Sequence, residues 1–200
     1  MLAVVPGTAG LIFTLGNDPQ PGQQNVLYNT GQTGTMVTGV TNMTDTVVDF
    51  TSITDILMTT ASGQAKLTAQ DQSINNVSIS LANGSTFSDL IFNPFSGGTA
   101  AGPATVTVYT NDGTFTYNYP GGRGNGQNFL TITASDGTVI DSATITGPDG
   151  FTYLDQVRVS GISASVATPE PGTLLQTAGA FLVLLGLIGR GRASKRSERA

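Results

Sequence analysis

The sequence contains no cysteine, no histidine and no tryptophan. Without cysteine the chain has neither a disulfide framework nor a thiolate metal site. Without histidine it lacks the commonest general base and the commonest ligand of transition metals. A serine triad with a histidine base is therefore excluded, and we predict that the chain is not an enzyme.

Charged side chains make up only 10% of the chain, and they are unevenly distributed. Residues 1–169 carry three basic side chains, Lys66, Arg123 and Arg158, against eleven aspartates, a net charge of −8. An acidic surface repels phosphate backbones, so nucleic acid is not an expected partner. Most of these aspartates stand in turn contexts, where Asp bonds to the backbone. That placement argues against the carboxylate pair of a glycosidase.

Threonine, glycine and asparagine are abundant instead, with thirty threonines and 26 glycines. Threonine favours strands, whereas glycine and asparagine favour turns. Short alternating runs predict strands over residues 11–15, 36–40, 47–53, 65–69, 77–81, 87–92, 104–109, 114–119, 129–134, 139–145 and 156–162. Their spacing predicts an all-β fold, an antiparallel β-sandwich of the jelly-roll type over residues 10–167. A solenoid is the rival fold, but the sequence has no fixed repeat period.

Glycine-containing dipeptides predict where the strands turn. Type I′ hairpin turns, which need positive φ angles, are predicted at Asn83-Gly84, Asp112-Gly113, Asp136-Gly137 and Asp149-Gly150. Longer loops are predicted over residues 93–103 and 120–128. Loops at one rim of a sandwich are a usual place for ligand binding.

One segment resembles the start of a calcium loop. Asp71, Ser73 and Asn75 have the spacing of oxygen ligands, but no glycine follows at the sixth position and Ala82 stands where a bidentate Glu is needed. An EF-hand is therefore excluded. No cofactor is expected, with a calcium ion held by scattered aspartates as the alternative.

The N-terminal residues 1–9 are apolar and end in Gly7-Thr8-Ala9, the small-x-small pattern of a signal-peptidase site. We interpret them as the remnant of a signal peptide whose start lies upstream. The alternative is that Leu2 and its neighbours belong to a first strand.

The C-terminal residues 168–200 have a different composition from the rest. Pro169, Glu170 and Pro171 are followed by sixteen uncharged residues that begin at Leu174 and end at Gly189. As a helix these residues would span about 24 Å, slightly less than the ~30 Å hydrocarbon core of a bilayer. A basic cluster follows, which would hold that end in the cytoplasm: Arg190, Arg192, Lys195, Arg196 and Arg199. The alternative is a buried helix of a soluble domain.

This order of parts resembles the tail of the PEP-CTERM family. The resemblance implies that Pro169, Glu170 and Pro171 form a sorting motif recognised by an exosortase-type membrane protease. It implies that residues 174–189 are a transmembrane helix and that the basic cluster is a stop signal. Members of the family are secreted proteins of exopolysaccharide-producing Gram-negative bacteria. An exported protein is therefore expected, anchored in the inner membrane as a precursor and then placed at the cell surface or outside the cell.

Three functions are compatible with the body of the chain. The first is a non-catalytic surface or matrix protein of a biofilm. The second is a carbohydrate-binding module for exopolysaccharide, with Tyr109, Tyr117, Tyr119 and Tyr153 as sugar platforms. The third, ice binding, rests on Thr-x-Thr pairs at 105/107, 114/116, 131/133 and 144/146, for which no sequence repeat supplies a flat face.

Overall fold

The computed structural model describes residues 4–6, 10–28, 31–59, 66–95, 102–121 and 128–164. Within these ranges the only helical element is a single 3-10 turn at Ala82–Gly84. The strands in chain order are β1 (Val4–Pro6), β2 (Leu11–Leu15), β3 (Gln24–Leu27), β4 (Thr33–Gly34), β5 (Met36–Thr41), β6 (Val47–Thr51), β7 (Leu57–Thr59), β8 (Leu67–Ala69), β9 (Ile74–Leu81), β10 (Asp89–Phe95), β11 (Ala104–Thr110), β12 (Gly113–Tyr119), β13 (Leu130–Ala134), β14 (Ile140–Phe151) and β15 (Tyr153–Ser160). The predicted all-β, antiparallel class is confirmed.

All these strands are joined by antiparallel pairing into one sheet. Its main path runs β1-β2-β13-β10-β15, which we call the first half, and continues through β3 into β5-β6-β9-β14-β11-β12, the second half. The short strands β4, β7 and β8 attach beside β15. Phe13 of β2 stacks on Tyr117 of β12, near the other end of the path. The sheet therefore curls until its two ends approach, in a nearly closed, barrel-like arrangement.

Alternation of apolar and polar residues decides which face of each strand is buried. In β11, Val106 and Val108 are fully buried, whereas Thr105 and Tyr109 are exposed. Both halves contribute to a single apolar core. Its largest fully buried members include Phe50 of the second half. Burying apolar surface at roughly 25 cal/mol per Å² is the main force that holds the two halves together.

The strand predictions were close where the apolar run was long. The predicted strands over residues 11–15 and 114–119 match β2 and β12 to within one residue. Strands β3 and β7 were missed because each has only three or four residues, too few to show alternation. Residues 47–53 were predicted as one strand, but β6 ends at Thr51 and Ile53 is 87% exposed in the turn that follows.

Three of the four predicted hairpin turns do not make hairpins. A hairpin does join β11 and β12, but its two loop residues are Asn111 and Asp112, because Thr110 pairs with Gly113. Of the predicted dipeptide Asp112-Gly113, only Gly113 has a positive φ. Asn83-Gly84 and Asp136-Gly137 do adopt positive φ, but the strands on either side of each pair with other strands. Asp149-Gly150 lies inside β14, within an irregular stretch of its pairing with β9. Local backbone chemistry predicted the positive φ of all four glycines, whereas the partner of each strand depends on distant residues.

The predicted boundaries of the β domain lie near residue 9 and at residue 167. Val4–Pro6 pairs with β2 as strand β1, in the segment interpreted as a signal-peptide remnant. That interpretation stays a prediction. The compact unit that contains the sheet ends at Ser165. The predicted domain boundary at residue 167 also stays a prediction. Residues 165–200 lie outside the described residues.

Candidate functional site

The predicted sorting residues fall in the part of the chain that the structure does not describe. This holds for Pro169, Glu170 and Pro171, for residues 174–189, and for the basic cluster Arg190, Arg192, Lys195, Arg196 and Arg199. Among the residues that are described, no helix is long and apolar enough to cross a bilayer. The sorting and membrane assignments therefore stay predictions from sequence.

The four tyrosines proposed as sugar platforms have different surroundings. Tyr117 and Tyr119 belong to the core, and the Tyr119 hydroxyl donates to the backbone oxygen of Asn128 at 2.8 Å. Burial raises the pKa of both tyrosines. Tyr109 is 43% exposed on the outer side of β11. Of these three, only Tyr109 offers an open ring face.

Tyr153, the fourth tyrosine, has neighbours on both sides of its ring. Phe95 of β10 stacks on it with 4.5 Å between ring centroids, and Lys66 Nζ lies 4.0 Å from the Tyr153 centroid. A parallel ring at that distance occupies one face, so the ammonium must approach from the other. Tyr153 therefore packs against protein groups and offers no stacking surface to a sugar.

Two residues beyond Tyr153, Asp155 is the centre of a polar cluster on β15. Its Cα partner on β10 is Asn93, which is buried. Burial raises the pKa of the Asp155 carboxyl, while the hydrogen bond with Asn93 and the charges of Lys66 and Arg158 act in the opposite direction without cancelling the rise. One carboxylate oxygen, Oδ1, is buried with no hydrogen-bond partner among the described residues.

Tyr28 extends this cluster into the core. Its side chain is 1% exposed, and its hydroxyl has no hydrogen-bond partner in the described part of the chain. Burial first, and then the negative charge of Asp155, raise the pKa of Tyr28 far above its ordinary value. Tyr28 is therefore a neutral core residue, and its ring contacts Phe50.

Arg158, the cation on the same strand as Asp155, is held by amide side chains. Its Nη1 donates to Asn17 Oδ1 at 3.1 Å and to Gln23 Oε1 at 3.4 Å, and its Nη2 donates to Gln156 Oε1 at 2.9 Å. These bonds fix the guanidinium on the surface of the first half. The charged groups that act on Asp155, Lys66 and Arg158, are both cations. A glycosidase site needs a second carboxylate instead.

Asp89 and Asp141, two other aspartates on strands, lie elsewhere. Asp89 is buried on β10, and its Oδ2 accepts hydrogen bonds from the hydroxyls of Ser88 and Ser160, both at 2.6 Å. Asp89 is separated from Asn93, the partner of Asp155, by about 13 Å along the strand. Asp141 is exposed on β14 in the second half. The fold does not bring these three carboxylates together.

Asp55 is a buried carboxylate that sequence reasoning missed. It accepts hydrogen bonds from the hydroxyls of Ser52 and Thr54 and from the backbone N–H groups of Asn75 and Asn76, at 2.8–3.1 Å, and from Asn75 Nδ2 at 3.1 Å. Burial acts to raise the pKa of Asp55, but these donors outweigh burial and lower it. The signal in the sequence was a Ser-x-Thr-Asp turn. Its bonding partners, some twenty residues further on, could not be read from it.

The segment that resembles the start of a calcium loop makes an ordinary turn. Asp71 Oδ1 accepts a hydrogen bond from the backbone N–H of Ser73 at 3.1 Å, and Gln72 has a positive φ of 67°. Among the described residues no group of three or more Asp, Glu, His or Cys side chains is placed to hold a metal ion.

A broad polar surface is formed by the outer side of four strands of the second half, which we call the hydroxyl face. It comprises the outward residues of four adjacent strands: Thr114, Thr116 and Asn118 of β12; Thr105, Thr107 and Tyr109 of β11; Ser142, Thr144 and Thr146 of β14; Asn76, Ser78 and Ser80 of β9. None of them is charged.

Strand register aligns these side chains in rows across the sheet. Thr107 lies between Thr116 and Thr144, and Thr144 in turn faces Ser78. The hydroxyls of Ser78 and Thr144 are 2.9 Å apart. Three of the four Thr-x-Thr pairs are thus brought together on one surface. In the fourth, Thr131 is buried and its hydroxyl donates to the backbone oxygen of Gly16.

Comparison of the chain with protein-family models, with curated proteins and with solved structures finds no match. Functional assignment therefore depends on the residues themselves.

Proposed function

We propose that the chain is an exported, non-catalytic surface or matrix protein, sorted through its C-terminal motif by an exosortase-type membrane protease. The observation that carries this proposal is the order of the tail: the motif Pro169, Glu170 and Pro171, then an uncharged stretch, then a basic cluster. The last of the described strands, β15, ends at Ser160, and the eight residues 161–168 lie between it and the motif. The precursor would be held in the inner membrane and then released to the cell surface or beyond it.

The test is the intact mass of the mature protein recovered from cells. We expect a chain that ends near Glu170 and lacks the basic cluster. The same measurement fixes the N-terminus and reveals any added glycan or lipid. Recovery of surface protein that still carries Arg192 and Arg199 would reject exosortase-type sorting.

For the finer architecture we propose the jelly-roll form of the β-sandwich, with the first and second halves as the two facing sheets. The stacking of Phe13 on Tyr117 supports it, because these residues come from strands near opposite ends of the path. For the tail we propose a single transmembrane helix over residues 174–189.

The second candidate function is a carbohydrate-binding module of the exopolysaccharide matrix. The hydroxyl face supports it, because its twelve uncharged side chains, among them the exposed ring of Tyr109, suit a hydroxyl-rich polymer. Two carboxylates lie beside this face, Asp141 next to Ser142 and Asp49 opposite Ser80. Binding to the host exopolysaccharide, measured with and without calcium, tests it. Saturable binding that Tyr109→Ala weakens and Ile12→Ala leaves unchanged would favour this function, since Ile12 is exposed on β2 of the first half. If no binding to the exopolysaccharide is measured with or without calcium, the surface-protein proposal is the better supported of the two.

Ice binding ranks third. The strand register aligns the threonines of β12, β11 and β14 in rows, a regular spacing for which the sequence has no repeat. However, neighbouring strands in a sheet rotate by roughly 20–25°, and this twist works against the flat surface that an ice lattice requires. We therefore prefer a flexible polymer, whose chain can follow a twisted face.

A further inference from the structure

Strand β12 forms one end of the sheet path. Among the described residues it pairs with β11 and with no other strand. Its register with β11 runs without interruption from Ala104 opposite Tyr119 to Thr110 opposite Gly113. The side of this seven-residue strand that faces away from β11 carries a row of backbone N–H and C=O groups, and no described strand pairs with them.

The other two edge strands among the described residues of this sheet, β1 and β4, are protected against pairing with another chain. β1, at the opposite end of the path, has three residues and includes Pro6, which has no N–H to donate. β4, which pairs only with β7 among the described strands, has two residues. Short strands and proline are the usual protection of a sheet edge against pairing with another chain. β12 has neither.

The sequence of β12, Gly-Thr-Phe-Thr-Tyr-Asn-Tyr, carries no charge, although the aspartates give residues 1–169 a net charge of −8. An edge without charge lets two copies of an acidic protein approach at this strand. The strand is also self-complementary about Thr116. An antiparallel pair centred there sets Thr114 opposite Asn118 and Phe115 opposite Tyr117.

We propose that β12 pairs antiparallel with β12 of a second copy of this chain, with Thr116 opposite Thr116. Polar side chains then face polar ones on the outer side and aromatic side chains face each other on the inner side, which are favourable cross-strand pairs. The pairing makes the hydroxyl faces of two copies continuous. It does not depend on how the tail is processed, so it stands or falls separately from the sorting proposal.

Disulfide trapping tests this pairing cleanly, because the chain has no cysteine of its own. In full-length Thr116→Cys, the two new thiols lie directly opposite each other, close to the Cβ separation that a disulfide needs. We expect a covalent dimer under mild oxidation. The matched control is Thr107→Cys, on the same face and opposite Thr116 but on the inner strand β11. Cross-linking of Thr116→Cys no faster than the control would overturn the proposal.

Register and charge give two further readouts. An equimolar mixture of Thr114→Cys and Asn118→Cys should cross-link faster than either variant alone. Fastest cross-linking of Thr114→Cys with itself would reject pairing about Thr116. Thr116→Lys and Thr116→Glu should each weaken self-association roughly tenfold, because like charges then face each other. Mixing them should restore association, and a mixture no tighter than either variant alone would count against the pairing.

Discussion

Phe13 and Tyr117 stack with their ring centroids 4.7 Å apart and their planes within 6°. The first is on β2 and the second on β12, strands near opposite ends of the sheet path. Neither strand hydrogen-bonds to the other within the described residues, so this contact between side chains is part of what brings the ends together. The curl of the sheet is thus decided by packing as well as by backbone pairing.

Replacing Phe13 by alanine should lower the free energy of unfolding by about 3–5 kcal/mol, because it empties a buried aromatic site. A double-mutant cycle with Tyr117→Ala should give a coupling of roughly 1 kcal/mol. Urea unfolding measures both. Ile12→Ala, at a position that is 39% exposed, is the control and should cost much less. Strictly additive effects of the Phe13 and Tyr117 changes would show that the stack does not join the ends.

Asp55→Asn should destabilise the fold by about 3 kcal/mol, because donors that face a carboxylate would then meet an amide group. The folded pKa of Asp55 lies below its ordinary value of 3.8. Its stabilising effect is therefore present above that value and is lost as the pH falls through the folded pKa. Thermal unfolding between neutral and acid pH should show this loss in the parent and not in the variant. Asp71→Asn, at an exposed turn, should behave like the parent at neutral pH.

Asp155→Asn should have the opposite effect. Because the folded pKa of Asp155 is raised, its contribution to stability is present below its ordinary pKa and is lost as the pH rises through the folded pKa. A neutral amide avoids that loss, so the variant should be at least as stable as the parent at neutral pH. Clear destabilisation there would mean that Lys66 and Arg158 favour the charged carboxylate more than burial disfavours it.

Joint replacement of Glu170 and Pro171 by alanine should stop removal of the basic cluster, because it removes two of the three motif residues. Precursor should then accumulate in the membrane fraction, as measured by fractionation and intact mass. Glu198→Ala, in the basic tail but outside the motif, is the matched control and should be processed normally. Normal sorting of the double variant would contradict the role assigned to the motif.

A chain ended at Thr168 should fold by itself. All described strands lie before residue 165. Pro169 and Pro171 bias the residues before them, Thr168 and Glu170, towards extended backbone, which favours a linker here. We expect cooperative unfolding and a circular dichroism spectrum of the β type. A requirement for residues 174–189, or a helical spectrum, would move the boundary of the domain.

Much of the fold could be read from short-range patterns. The alternation in residues 104–109 fixes which side of β11 is buried, and the threonines of β12 mark its outer side. The aspartates show the limit of such reading. Asp55, Asp89 and Asp155 all looked like polar residues near turns or strands, yet their burial and partners differ, because each depends on strands far away in the sequence.

By itself the sequence determined the β class, the positions of most strands and turns, the absence of histidine and thiol chemistry, and the composition of the tail. These follow from local backbone preference, residue chemistry and alternation, which need no partner. Only the tertiary structure decided the order of strands, the carboxylate contacts, the threonine rows and the place of β12 at the end of the sheet path. Strand partners are chosen by the packing of the whole core, so a property that depends on two strands meeting cannot be read from either strand alone.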